Sequence, residues 1–255
     1  MSSTDLPLSG RFAVWFSAWV KGRVSLDDAR DGILADDAAH DVVGIPTTPG
    51  ASTELPGSSV PLIVALGLLR GRGACAAGLA LPVPGDPLGL AGPPAFNLEA
   101  LEAGEGVVLE GVDLGLVPRR AGAGVVWTCH TAVARRPLPD PREADATLRQ
   151  ALVGAARALA DLDVARWRPE VADELMALRR PTDVPAAATM PAGAVRLATT
   201  AARCLAIVGL ALEDEGGSVT AWEAERRRDA LIPLDTAARR AMVTACSASA
   251  WTGHS

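Results

Sequence analysis

The residues able to do chemistry are few and scattered. Histidine occurs at His40, His130 and His254, cysteine at Cys75, Cys129, Cys204 and Cys246, and Lys21 is the single lysine, while tyrosine is absent. A Schiff-base enzyme needs a lysine amine, and here that amine sits near the end of an apolar-striped segment. A phosphate-binding Walker A loop needs Gly-Lys-Ser/Thr, whereas Lys21 is followed by Gly22 and Arg23. These facts argue against both classes, and a tyrosine acid or base is excluded. No His-x-x-x-His, His-Glu-x-x-His or cysteine-rich zinc spacing occurs, so no metal and no cofactor is expected. Gly57-Ser58-Ser59 and Gly217-Ser218 lack the flanking glycine of a nucleophile elbow. Gly71-Arg72-Gly73 lacks the third glycine of a dinucleotide fingerprint and follows an expected helix rather than a strand.

His40 follows Asp36 and Asp37 and precedes Asp41. A neighbouring carboxylate would raise an imidazole pKa and orient the ring, although one solvated acidic stretch explains the same residues. Cys129 and His130 adjoin on an expected strand, so their side chains point to opposite faces and cannot easily pair. The loop Pro82–Asn97 has a backbone fixed by glycines and prolines, and Asp86 is its only charge. Rigid loops with one placed polar group line pockets, and their exposed amides can hold an anion. The competing reading is a stiff connector leading into a helix capped by Asn97. The candidate ligand-binding residues are therefore His40, Asp86, Asn97 and His130.

The elements that must position these residues can be read from pattern. Leu8, Phe12, Trp15, Phe16, Trp19 and Val20 form one wide apolar helical face. Ser25 with Asp28 is a capping box opening a second helix from Leu26 to about Ala35. Residues 44–141 hold 13 of the 19 prolines and 16 of the 25 glycines, so short strands and turns are expected there. Pro61–Arg70 reads as a short buried helix. Ala74–Val83, Val107–Glu110, Leu114–Val117 and Val125–Ala134 read as strands, about four in all.

Beyond Asp140-Pro141, a carboxylate cap before an N1 proline, the chain reads as helix almost throughout. Expected helices open at Pro169, run through Leu197–Leu212, follow a Ser218 cap to about Leu231, and restart at Asp235. The fold expected is α+β in a single compact domain spanning 1–255. An N-terminal helix pair and a small, mainly antiparallel sheet occupy 1–140, and a helical layer occupies 141–255.

Of 24 basic residues 23 are arginine, a bias expected of a GC-rich bacterial genome, and the formal charge is −6. That charge argues against nucleic acid and anionic membranes. Arg226-Arg227-Arg228 is the densest basic feature, but Glu223, Glu225 and Asp229 interleave with it. The four scattered cysteines read as reduced, buried hydrophobes, and the first residues lack a signal-peptide pattern. The longest apolar runs, Val60–Leu69 and Cys204–Leu212, are about half a membrane span. A cytoplasmic location and no membrane partner are expected, with self-association through the aromatic first helix.

No stretch carries a family motif. The balance favours a non-catalytic binding or scaffold protein. A small-molecule enzyme or ligand sensor using the Pro82–Asn97 loop ranks second, and nucleic-acid binding through Arg226–Arg228 third.

Overall fold

Helix α1 (Leu8–Val20) turns Phe12 and Phe16 wholly inward and leaves Trp19 8% exposed. The phenylalanine rings stack at 5.7 Å, and Phe12 also meets Trp127 at 5.1 Å. The aromatic face of α1 is thus spent on the chain's own core, where each such side chain is worth roughly 1.5–3 kcal/mol. Helix α2 (Leu26–Leu34) opens on the expected capping box, with Ser25 and Asp28 bonded reciprocally. The computed structural model describes residues 6–46, 59–133, 138–161, 189–213, 221–247 and 249. The expected helix start at Pro169, the Ser218 cap and His254 lie outside these residues.

The chain divides into two compact units. The first holds residues 6–138, with α1, α2 and a six-stranded mixed sheet ordered β2-β1-β6-β5-β4-β3. Its strands are β1 (His40–Val43), β2 (Ser59–Pro61), β3 (Ala76–Ala80), β4 (Gly106–Glu110), β5 (Leu114–Ala121) and β6 (Gly124–Thr131). Helix α3 (Leu62–Gly71) follows β2, and α4 (Pro94–Ala103) precedes β4. The expected four strands are therefore corrected to six. β1 and β2 are only four and three residues long, and β1 is placed by pairing in parallel with β6, 85 residues on at His40↔Val125. All other pairings are antiparallel.

The sheet separates two clusters by strand alternation. On one face Ala77, Leu109, Leu116, Trp127 and Cys129 pack with α1 and α3 residues. On the other, Ala80, Val108, Val117 and Ala132 pack with Phe96 and Ala100 of α4. Gly115 makes that second contact possible, because a Cβ there would lie 2.5 Å from the Phe96 ring.

The sheet edge at β3 is closed from two directions. Ser17 Oγ donates to the Ala77 carbonyl at 3.3 Å and accepts from the Ala77 N–H at 2.9 Å. The Gly/Pro-rich loop closes the rest. The Leu81 N–H donates to the Leu88 carbonyl at 3.1 Å, and Gly89, at φ +87°, leaves no room for a Cβ, which would meet the Ala80 Cα at 2.8 Å. Unprotected edges invite pairing with other chains, so this loop has a structural task as well as a path.

The second unit contains α5 (Pro141–Asp161), α6 (Ala192–Glu213) and α7 (Ala221–Ala245), with α7 packed against both others. Asp140 caps α5 as expected, accepting from the Arg142 N–H at 2.8 Å. In α6 the buried Ala194, Leu197, Ala201, Cys204, Val208 and Ala211 follow an alternating three–four spacing, the pattern of a helix–helix seam. Residues Ala192–Leu212 are also long and apolar enough to cross a membrane by length and composition. Counting only unbroken apolar runs missed this stretch, which carries Arg196 and Arg203 among its alanines.

The expected break between two last helices is corrected as well. α7 runs through Pro233, although an interior proline costs about 3 kcal/mol. Leu231, Leu234, Ala237 and Ala238 continue one buried face on both sides of it, and this packing outweighs the proline. Asp235 does not cap a new helix there, but pairs one turn on with Arg239 at 2.8 Å.

Candidate functional site

The first-unit sheet holds one polar cluster inside its apolar frame. His40 opens β1, with its imidazole on the same face as Val125 and Trp127. The Trp127 indole N–H donates to His40 Nδ1 at 3.3 Å, and His40 Nε2 lies 3.1 Å from Asp37 Oδ2. This network assigns the proton to Nε2. Asp37 stands between α2 and β1, where Arg11 of α1 donates to Oδ2 at 2.7 Å and Arg120 of β5 to Oδ1 at 2.5 Å.

Burial alone would raise the Asp37 carboxyl. The hydrogen bonds from Arg120, His40 and Arg11 outweigh it and hold the carboxyl at about 2. For His40 the order is reversed. Desolvation lowers its pKa and exceeds the raising effect of Asp37, with the Arg11 and Arg120 charges adding to the lowering. The expectation that a carboxylate would raise this pKa is thus corrected, because the side chain has no exposed surface. Both ring nitrogens are engaged within the protein, so the cluster acts as a clasp joining α1, the α2–β1 turn, β5 and β6.

Glu105 extends the cluster at the start of α1. Its Oε2 accepts from the Ser9 N–H at 2.7 Å, a carboxylate set at the positive end of a helix. Desolvation raises its pKa against the lowering effects of Ser9, Arg11 and Arg120.

His130 lies on the opposite sheet face, five residues beyond Val125 on β6 and paired with Gly115. Its Nε2 is 2.9 Å from Glu99 Oε2 of α4, and its ring is 6.0 Å from Phe96. Strand alternation thus separates it from His40, and also from Cys129, whose thiol burial pushes up to about 12. The adjacent pair splits across the sheet as the sequence requires.

A cleft of about 590 Å³ opens beside α4. Its loop wall is Pro82, Val83, Gly85, Pro87 and Leu90; its helix wall is Pro94, Asn97, Leu98 and Leu101. No lining residue is ionisable. Of the four expected site residues, Asn97 alone lines it. Asp86 takes part in the loop through its backbone, exchanging hydrogen bonds with Val83 at 2.9 and 3.0 Å.

Asn97 does not cap α4, which begins at Pro94 after a Pro93 N-cap. The proline at N1 supplies the fixed φ that starts the helix, and Asn97 lies within its first turn. From there its Oδ1 accepts the Gly92 N–H at 3.1 Å, so the side chain ties the helix back to the loop. No sequence pattern marks Leu98 or Leu101 as cleft residues, nor Arg11 and Arg120 as partners of Asp37.

The basic run on α7 does not form a continuous outward stripe. Arg226 and Arg228 are exposed, whereas Arg227 is buried. Among the described residues no cluster of three or more histidine, cysteine or carboxylate side chains could hold a metal.

Comparison with known proteins gives one family. A family model described as Rv1486c-like protein, N-terminal domain, matches residues 9–144, and its companion, the C-terminal domain, matches residues 142–243. In Mycobacterium tuberculosis strain H37Rv the chain is similar to a protein named "Uncharacterized protein Rv1486c", at 29% identity over 94% of this chain and 96% of the relative. Strain CDC 1551 / Oshkosh has a counterpart, "Uncharacterized protein MT1533", with the same identity and coverage. No solved structure matches.

Proposed function

The chain belongs to the Rv1486c-like protein family, and on that premise we propose that it is a non-catalytic binding protein whose cleft beside α4 takes a small uncharged molecule. The observation that carries this reading is the lining. The volume of about 590 Å³ falls within the size range of small-molecule sites. Its walls are proline, leucine, valine and glycine, with the Asn97 carboxamide as the one polar side chain. A charged ligand would lose hydration there without meeting an opposite charge. Catalysis by acid, base or nucleophile would need a titratable group at the cleft, and the lining supplies none.

The test uses Prodan, an uncharged naphthyl ketone whose emission shifts to the blue in apolar surroundings. Titration into the protein is expected to give a saturable blue shift with one site. Leu98 is 59% exposed at the cleft wall, so Leu98→Glu places a charge there without emptying the core. It is expected to raise the Prodan Kd about tenfold with little change in the thermal melt. Equal binding by parent and Leu98→Glu would overturn the assignment of the cleft.

A further inference from the structure

The cleft has one polar instrument, and its orientation is fixed. Asn97 Oδ1 accepts from the Gly92 N–H at 3.1 Å. A carboxamide has one acceptor end and one donor end, so committing the oxygen to the loop leaves the Nδ2 amide as the end available to a ligand. Among the described residues no protein group accepts from that nitrogen. Resting on the binding reading above, we propose that Asn97 is the specificity-determining residue of the cleft. It selects an apolar molecule bearing a hydrogen-bond acceptor, such as a ketone, ester or ether oxygen, over the hydrocarbon of the same shape.

The loop contact is what makes the selection directional. A free asparagine could rotate its amide and serve donors and acceptors alike. The Gly92 N–H fixes the choice, because turning the amide over would set two N–H groups against each other and forfeit that hydrogen bond. The chain path holds the arrangement from both ends. Gly92 also offers its carbonyl to the Val133 N–H at 2.9 Å, which ties the loop to the segment following β6. Donors of this kind discriminate by leaving a buried polar group unmet when the wrong ligand binds.

Acetophenone and ethylbenzene make the test, since they share size and shape and differ at the carbonyl. Each is titrated into isotopically labelled protein and followed by amide NMR shifts, for the parent and for Asn97→Asp. Aspartate can still accept from Gly92 but has no N–H to donate. The readout is the ratio of the two Kd values. The substitution is expected to shift that ratio about three- to tenfold towards ethylbenzene, the worth of one net hydrogen bond. An equal change in both affinities would make Asn97 a loop anchor only and overturn the donor assignment. A parent that binds ethylbenzene and acetophenone without the ratio changing in Asn97→Asp would do the same, while leaving the cleft as a binding site. Shifts from neither compound at the cleft residues would overturn both readings.

Discussion

Trp127 and His40 share a hydrogen bond of 3.3 Å inside the sheet, with the indole as donor and the imidazole Nδ1 as acceptor. An imidazolium has no lone pair to accept that bond. Protonating His40 therefore breaks the contact and places a second N–H against a donor. The fold is built on the neutral ring.

That dependence sets a pH window. The folded pKa of His40 lies below the ordinary 6.5 because of desolvation, so the unfolded chain takes up the proton first. Stability from this group is complete above 6.5 and falls as pH drops from there towards the folded value. Asp37 acts in a lower window, from its ordinary 3.8 down to about 2. Glu105 has the opposite sign, since its raised pKa adds stability as pH falls through it. Urea midpoints measured from pH 8 to pH 5 for the parent and His40→Gln isolate the imidazole. The parent is expected to lose its advantage over the variant below about pH 6.5, and parallel curves would refute the neutral-ring account.

The clasp ranks its members by burial. Asp37 is 10% exposed and serves Arg11, Arg120 and His40, whereas Arg120 is 44% exposed. Removing the shared carboxylate strands the arginine of α1, which is itself only 15% exposed. Asp37→Asn is expected to cost about 3 kcal/mol, and Arg120→Ala about 1 kcal/mol or less. Denaturant unfolding of the two variants gives the comparison. Equal losses would mean that Asp37 has no special place in the cluster.

Gly89 carries a different constraint. At φ +87° and with a would-be Cβ 2.8 Å from the Ala80 Cα, alanine must lift the loop from β3. Gly89→Ala is expected to cost about 2 kcal/mol. It should also produce larger species that grow with protein concentration, as the uncovered edge pairs. Melting curves and sedimentation velocity measure both. A variant that melts and sediments like the parent would show that the loop is not the cover.

Local signals were legible wherever one segment decides its own structure. The Phe12–Phe16–Trp19 face, the Ser25–Asp28 capping box and the Asp140 cap all lie within a few residues of what they control. Partnerships across long separations were not. Arg120 reaches Asp37 from 83 residues away, and Trp127 reaches His40 from 87. The direction of the His40 shift depended on that burial, so its acidic neighbours gave the wrong sign. Asn97 had the residue type of a cap, but Pro94 had already begun the helix. The loop that walls the cleft stood out by its glycines and prolines. The cleft's leucine-bearing wall did not, because Leu98 and Leu101 are ordinary helix residues until the loop folds against them.

The Ser17–Ala77 contact also bears on how the chain is made. Synthesis delivers the N-terminal segments first, and Ser17 precedes Ala77 by 60 residues. The residue whose hydroxyl covers this edge is therefore translated before the strand it covers, and the contact forms once later strands have given α1 its seat on the sheet.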